Sequence, residues 1–341
     1  MNRKRAIATV IVVAALAALA YLQFRTWRTF DWQKFREQTS DADPKRIISG
    51  ITLIFFTYYL RALRWKVMLR PVKEVKAVRL LSAMIIGFTA VAILGRPGDL
   101  IRPYLIAKKE GLTFSSQLAV LFVERVFDIG CFALLLVLDV LFAPSLKELP
   151  HFPVFRNAGF FLAALVAVVS LLLFLIWRNP VVVSQWVARR LARFPSLARA
   201  ARERIHTFSE GLKTIHDFKS FTQLIGLSTA IWLLIACAYV LVTSAYPDLK
   251  TDMTIPYVLL LMSASIAGSI LQLPVVGGGS QLGTISVLTE VFDVEEELAA
   301  SAGIMLWLVT FVAIVPFGLL LARKEHVSLR KLSEEAEPKA I

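Results

Sequence analysis

Residues 94–103 place a charged, helix-breaking segment between two apolar stretches, and this segment constrains the fold more than any other. It reads Leu-Gly-Arg-Pro-Gly-Asp-Leu-Ile-Arg-Pro, between the apolar residues 78–94 and 100–107. Each charge at the centre of a bilayer costs about 2.5–3.5 kcal/mol, and non-helical backbone at that depth must line a cavity or be covered by protein. We therefore expect the functional site here.

Composition indicates an all-α polytopic membrane protein. Of the 341 residues 57% are hydrophobic, and the mean hydropathy is +0.66. The net charge of +13 is explained by basic loops that stay in the cytoplasm, so we expect no nucleic-acid partner. The cysteines and histidines show neither disulfide nor metal-ligand spacing, so we expect no metal and no cofactor.

We predict one integral membrane domain over residues 1–322, with six full spans and two re-entrant broken hairpins. Residues 6–22 follow a short basic stretch, as the apolar core of a signal peptide does, but their length and the lack of a cleavage site favour an anchor. Residues 24–35 are aromatic and charged, as in an amphipathic interfacial helix. Arg61, Arg64, Trp65 and Lys66 are expected to anchor the second span at the interface. The predicted full spans are residues 6–22, 47–69, 114–142, 159–177, 221–246 and 299–321.

Charge asymmetry orients these segments. Residues 61–79 hold seven Lys and Arg residues, residues 178–220 hold nine, and the tail from residue 322 holds five. Placing them on one side puts both termini in the cytoplasm. Residues 178–220 are then a basic amphipathic loop on an anionic membrane surface, and residues 323–341 a disordered tail.

The two predicted hairpins have opposite orientations. The first, residues 78–110, enters from the cytoplasm, and the second, residues 257–292, enters from outside. Each has an apolar helix, a Gly/Pro break and a short second helix. Paired broken segments in two halves point to a transport site near the midplane. Two kinked core helices with glycines for close packing are the alternative.

A charged group is expected at the first break. Pro97 suits a first helical turn, so the second half-helix should begin near Gly98 with Asp99 at its positive end. Arg102 then lies beside Asp99 on one face, and Arg96 lies in the break itself.

The next predicted helix supplies a second charged group. Glu124 and Asp128 share a face, and Arg125 lies three residues before Asp128. With Arg96, Asp99 and Arg102 these charges sum to zero. They form either a purely structural salt-bridge network or a polar cavity in which an arginine exchanges its carboxylate for a phosphate.

The second break has no full charge. Its glycines leave backbone N–H groups that can receive an anion at a helix N-terminus. The predicted substrate-binding residues of the two hairpins are Arg96, Asp99, Arg102, Glu124, Arg125, Asp128, Gln272, Gly277, Gly278, Gly279, Ser280 and Gln281.

Three motifs carry a resemblance to a known family. They begin at Arg61 (Arg-Ala-Leu-Arg-Trp), at Gly95 (Gly-Arg-Pro-Gly-Asp-Leu-Ile-Arg) and at Glu124 (Glu-Arg-Val-Phe-Asp). With them, the chain resembles the lysylphosphatidylglycerol synthase transmembrane region, or flippase-like, family from about residue 6 to 322. It departs at the second break, where Gln281 stands in place of a usual acid.

The resemblance implies a protein that moves an amphipathic lipid across the bacterial inner membrane. The expected partner is a phospholipid or a polyprenyl-phosphate-type lipid, and a homodimer is possible. We expect no enzyme, because an aminoacyltransferase domain and the motifs of a membrane transferase are both missing. A secondary transporter of a small anion and a non-catalytic partner subunit of a lipid-modifying system remain alternatives.

Overall fold

The protein is seen in a computed structural model that describes residues 30–149, 152–191, 199, 217–249, 251–270 and 278–325. Across these ranges all regular elements are helical. The α-helices are α1 (Trp32–Asp41), α2 (Pro44–Leu69), α3 (Ala77–Leu94), α4 (Ile101–Glu110), α5 (Phe114–Phe142), α6 (Phe152–Arg178), α7 (Pro180–Arg190), α8 (Phe218–Thr243), α9 (Ile255–Ile270), α10 (Gly279–Glu290), α11 (Glu296–Trp307) and α12 (Val315–Lys324).

Side-chain caps fix where several of these helices begin. Asp43 accepts a hydrogen bond from the backbone N–H of Lys45, and Pro44 occupies the first turn of α2. Thr113 caps α5 and Asp217 caps α8 in the same way. The long helices therefore start at polar residues that immediately precede the apolar runs.

Four helical stretches in the described ranges are long and apolar enough to cross a bilayer. They are Pro44–Leu69, Ala77–Leu94, Phe218–Thr243 and Glu296–Lys324, the last comprising α11, a π-helical turn and α12. α5 has 29 residues, but charged side chains interrupt its apolar sequence. The predicted all-α membrane class is confirmed at this level. The predicted span at residues 6–22 lies outside the described residues.

The first break folds α4 back along α3. Gly95 has a φ of 70°, a conformation that glycine adopts without strain. A Cβ on Gly98 would overlap the backbone carbonyl of Ala90, and one on Gly87 would lie 2.6 Å from the Cβ of Arg102. The backbones therefore touch. A 3₁₀ turn, Arg96–Leu100, fills the break, so the prediction that the half-helix begins near Gly98 is wrong by one turn.

The second hairpin is built in the same way from α9 and α10. A Cβ on Gly268 would overlap the carbonyl oxygen of Gly279, and one on Gly283 would overlap that of Ala264. Glycine thus permits backbone contact in both hairpins. Residues 271–277, where the sequence predicts the break, lie outside the described part of the chain.

The two hairpins open toward opposite ends of α5. Glu110, at the end of α4, pairs with Lys73 at 3.1 Å and Arg79 at 3.7 Å, which closes the base of the first hairpin where α5 begins. The base of the second hairpin lies beyond the far end of α5, since the Tyr257 hydroxyl donates to the carbonyl of Ser145 at 3.5 Å.

The structure describes part of each of the three predicted peripheral segments. The interfacial helix expected over residues 24–35 is α1, which starts at Trp32 and packs on α11, where Thr39 hydrogen-bonds Ser301 at 2.7 Å. Residues 24–29 lie outside the described part. The basic loop 178–220 includes α7, on which Trp186 is exposed. α12 continues to Lys324, and the rest of the predicted tail beyond Glu325 is outside the described part.

We expect Gly283→Ala to destabilise the second hairpin by about 1–3 kcal/mol, because the new methyl group must push α9 and α10 apart. Gly226→Ala in α8 is the matched control, since its Cβ meets no atom within 4 Å and alanine favours a helix by up to about 1 kcal/mol. Thermal unfolding of both purified variants in detergent measures the difference. Equal melting temperatures would contradict backbone contact between α9 and α10.

Candidate anion site at the first hairpin

Arg64, in α2, is the centre of a buried ion cluster. Its side chain is fully buried and donates to Asp128 Oδ1 at 2.5 Å, Glu124 Oε1 at 2.5 Å and Ser228 Oγ at 2.8 Å. Both carboxylates project from the same face of α5, four residues apart. One guanidinium therefore ties α2 to α5 and α8. A planar fork of donors is suited to holding two acceptors at once.

Arg102, in α4, connects the first hairpin to this cluster. Its guanidinium lies 3.1 Å from Glu124 Oε1 and 2.9 Å from Oε2. It also lies over the rings of Trp65 and Phe88, with 4.8 and 5.0 Å to their centroids. The Trp65 indole N–H is itself held by Gln117 at 3.1 Å. Aromatic faces and one shared carboxylate thus fix Arg102 where it is 2% exposed.

Arg61 is the least satisfied member. It lies one turn before Arg64 on α2, and its Nη1 is 4.0 Å from Glu124 Oε1, beyond hydrogen-bond distance. Its guanidinium stacks on Phe88 at 4.8 Å, and its buried Nε has no hydrogen-bond partner. A buried guanidinium N–H without a partner is a position at which an anion would gain a hydrogen bond, and Arg64 Nε and Arg102 Nη2 are unpartnered in the same way.

The outer edge of the cluster is a more accessible pair. Arg125 donates to Asp99 Oδ1 at 2.5 Å, with side chains 40% and 32% exposed. Phe122 and Ile129 lie on the same face of α5 as Arg125 and are 51% and 55% exposed. The guanidinium therefore opens onto an apolar outer surface of the bundle.

The described charges of the cluster do not cancel. Four guanidiniums, of Arg61, Arg64, Arg102 and Arg125, face three carboxylates, which leaves one positive charge in excess. The predicted neutral set is wrong, since it omitted two arginines of α2. Arg96 lies in the 3₁₀ turn, and its side chain is outside the described part. Within the described residues, no three His, Cys, Asp or Glu side chains are grouped as metal ligands.

Sequence reasoning found most of the cluster but mispaired it. Asp99, Arg102, Glu124, Arg125 and Asp128 come together as the spacing suggested. The expected local pair of Asp99 with Arg102 is replaced, since each bonds a residue of α5 instead.

The predicted role of Arg64 and Trp65 as an interfacial anchor is wrong, because both are fully buried. Arg61 and Arg64 are spaced three residues apart on a helix, which puts them on one face. That spacing was the available signal for a shared interior role.

The residues predicted at the second break form a separate group. Gly278 is the N-cap of α10, and Gly279, Ser280 and Gln281 form its first turn. No hydrogen bond or ion pair within the described residues joins Gly278–Gln281 to the arginine cluster. Gln272 and Gly277 lie outside the described residues.

We expect Arg64→Met to destabilise the protein by about 3–5 kcal/mol, because two buried carboxylates lose their counter-charge. Arg46→Met is the control on the same helix. Arg46 is exposed and lies 3.5 Å from Asp43, so its loss should cost less than about 1 kcal/mol. Thermal unfolding in detergent compares the two. A melting temperature for Arg64→Met equal to that of Arg46→Met would rule out a structural role for the cluster.

Comparison with known proteins assigns this chain to a family. The chain is 28% identical over 129 residues to the glycosyltransferase AglD of Haloferax volcanii, which covers 37% of this chain and 21% of that protein. The chain thus spans about a fifth of the length of this relative. The family model described as the lysylphosphatidylglycerol synthase TM region matches residues 7–318. The match takes in all three motifs that build the arginine cluster, and the chain belongs to the lysylphosphatidylglycerol synthase TM region family.

Proposed function

We propose that this protein is a lipid translocase that moves a phosphate-containing amphipathic lipid across the bilayer. The observation that carries the proposal is the largely buried cluster, in which the residues that the structure describes contribute one guanidinium more than carboxylates. A phosphodiester would supply the missing negative charge and accept from several N–H groups at once. The family assignment and the similarity to a glycosyltransferase both favour a membrane lipid-related function.

The outer pair favours a lipid over a small soluble anion. Arg125 is 40% exposed on a face where Phe122 and Ile129 are also exposed. A headgroup can reach Arg125 from the membrane side while its acyl chains stay against these apolar side chains. A phosphate arriving there would replace Asp99 at Arg125 and would then be drawn to Arg61, whose Nε has no hydrogen-bond partner.

The two hairpins supply a route. α4 has 10 residues, about 15 Å of helix, half the thickness of a hydrocarbon core of about 30 Å. We propose that α3–α4 and α9–α10 are re-entrant and enter the bilayer from opposite faces. Relative movement of two such hairpins would expose the polar groups between them to one face and then to the other.

We further propose a bacterial inner-membrane location with the basic end of the bundle in the cytoplasm. Lys73, Arg79 and Lys109 lie at the base of the first hairpin, and Lys109 pairs with Glu325 at the end of α12. Basic residues at one end are typical of the cytoplasmic side. We propose transport without covalent chemistry, because an arginine holds each carboxylate of the cluster.

We expect Arg61→Gln to slow lipid translocation by about 10- to 100-fold, the loss of one charge-assisted interaction with phosphate. Stability should change little, since Arg61 Nε has no hydrogen-bond partner and Nη1 is 4.0 Å from the nearest carboxylate oxygen. The measurement is movement of fluorescent phosphatidylglycerol between leaflets of vesicles that contain the purified protein. Arg70→Gln, at the exposed end of α2, is the control and should move lipid at the wild-type rate. Wild-type translocation by Arg61→Gln would refute the proposed role of the cluster.

A further inference from the structure

A recess with no charged side chain lies between the second hairpin and the last span. Its polar lining is contributed by α8, α9, α10 and the π-helical turn that follows α11. The polar side chains are those of Tyr239, Ser265, Ser280, Gln281, Thr284 and Thr310. All are neutral, in contrast to the arginine cluster of the first hairpin. A ligand group taken up here needs hydrogen bonds but no counter-charge.

The side-chain oxygen of Gln281 is an unpaired acceptor in this recess. The residue is 2% exposed, and its Oε1 accepts no hydrogen bond from any described residue. Leaving a buried amide oxygen unpaired costs about 1–3 kcal/mol, so such a group in a lined recess points to a bound donor. The backbone N–H of Gln281, in contrast, is paired, because it donates to the carbonyl of Gly278 at 2.9 Å.

The nearby hydroxyls are also left as acceptors. Thr284 donates to the carbonyl of Ser280 at 2.9 Å, and Thr310 donates to that of Leu306 at 2.7 Å. Each hydroxyl has one proton, so the protons are used and the oxygen lone pairs remain. A group rich in O–H donors would satisfy these oxygens together with Gln281.

Aromatic rings complete the lining. Trp307 and Phe311 border the recess where the π-helical turn Leu308–Val312 interrupts the last span. Such turns inside helices occur frequently at functional sites. Flat aromatic faces pack against the C–H faces of a polyol while neutral acceptors take its hydroxyl protons. The combination suits glycerol or a sugar better than it suits a bare phosphate.

We propose that this recess binds the uncharged, hydroxyl-bearing part of the lipid headgroup, a polyol such as glycerol or a sugar. The inference rests on the proposed function, because the arginine cluster would hold the phosphate of the same class of lipid. The recess as described is too small for a polyol ring, so the proposal includes a separation of α10 from the last span when the headgroup binds. Selectivity among phospholipids then comes from the second hairpin and charge recognition from the first.

Two lipids of equal charge isolate the recess. Phosphatidylinositol and phosphatidylethanol are both phosphodiester monoanions, but only phosphatidylinositol carries a hydroxylated ring. We expect the wild-type protein in detergent to bind phosphatidylinositol about 5- to 10-fold more tightly in a competition read by native mass spectrometry, as one or two added hydrogen bonds would give. Gln281→Leu should reduce the preference to within about twofold without weakening phosphatidylethanol binding.

Matched variants control for folding and position. Thr284→Val removes a recess hydroxyl and should reduce the preference for phosphatidylinositol. Thr289→Val is its control, because it removes a similar hydroxyl of α10 that bonds Ile285 and lies outside the recess. Arg61→Gln should weaken both lipids equally. Melting temperatures of the variants verify that each is folded.

The outcomes separate the two proposals. Equal binding of both lipids by the wild-type protein, or an undiminished preference in folded Gln281→Leu and Thr284→Val, overturns the assignment of the recess while translocation by the arginine cluster stands. Failure of the wild-type protein to bind or move either lipid overturns both.

Discussion

One side chain, Arg64, holds the interior together. It is the only described arginine with no exposed surface, and it bonds Glu124, Asp128 and Ser228 from two neighbouring helices. Two carboxylates on one face of α5 could not stay ionised in an apolar bundle without such a partner. Because Arg64 neutralises them, α5 can run through the bundle next to the first hairpin, and Glu124 has a second oxygen left for Arg102.

The arginines of the cluster are held to different degrees. Arg64 and Arg102 bond carboxylates, and Arg102 also lies over aromatic faces, so they fix the positions of α2, α4 and α5. Arg61 and Arg125 are held more loosely, one at 4.0 Å from its carboxylate and the other partly exposed. The structural interpretation of the charges therefore fits Arg64 and Arg102, and the anion site that we propose rests on Arg61 and Arg125.

Local spacing predicted most of the described helices, the first break and the pair of acids on α5, because these depend on residues within one or two turns of each other. It failed for Arg64, since its partners are 60 and 64 residues away in the sequence and the nearby Trp65 is typical of a membrane interface. It also mispaired Asp99, because three-residue spacing favours Arg102 while the 3₁₀ turn directs Asp99 toward α5. The recess beside Gln281 requires the packing of α10 on the last span, which no single segment encodes.

The last span is divided between the two hairpins. Gly303 of α11 packs on Ile285 of α10, where a Cβ would lie 2.9 Å from that side chain. Beyond the π-helical turn, Gly318 of α12 packs on Thr89 of α3. The π-helical turn Leu308–Val312 lies between these two contacts, so a displacement of either hairpin would press on one half of the span and load that turn. One continuous stretch of chain thus links the two hairpins mechanically.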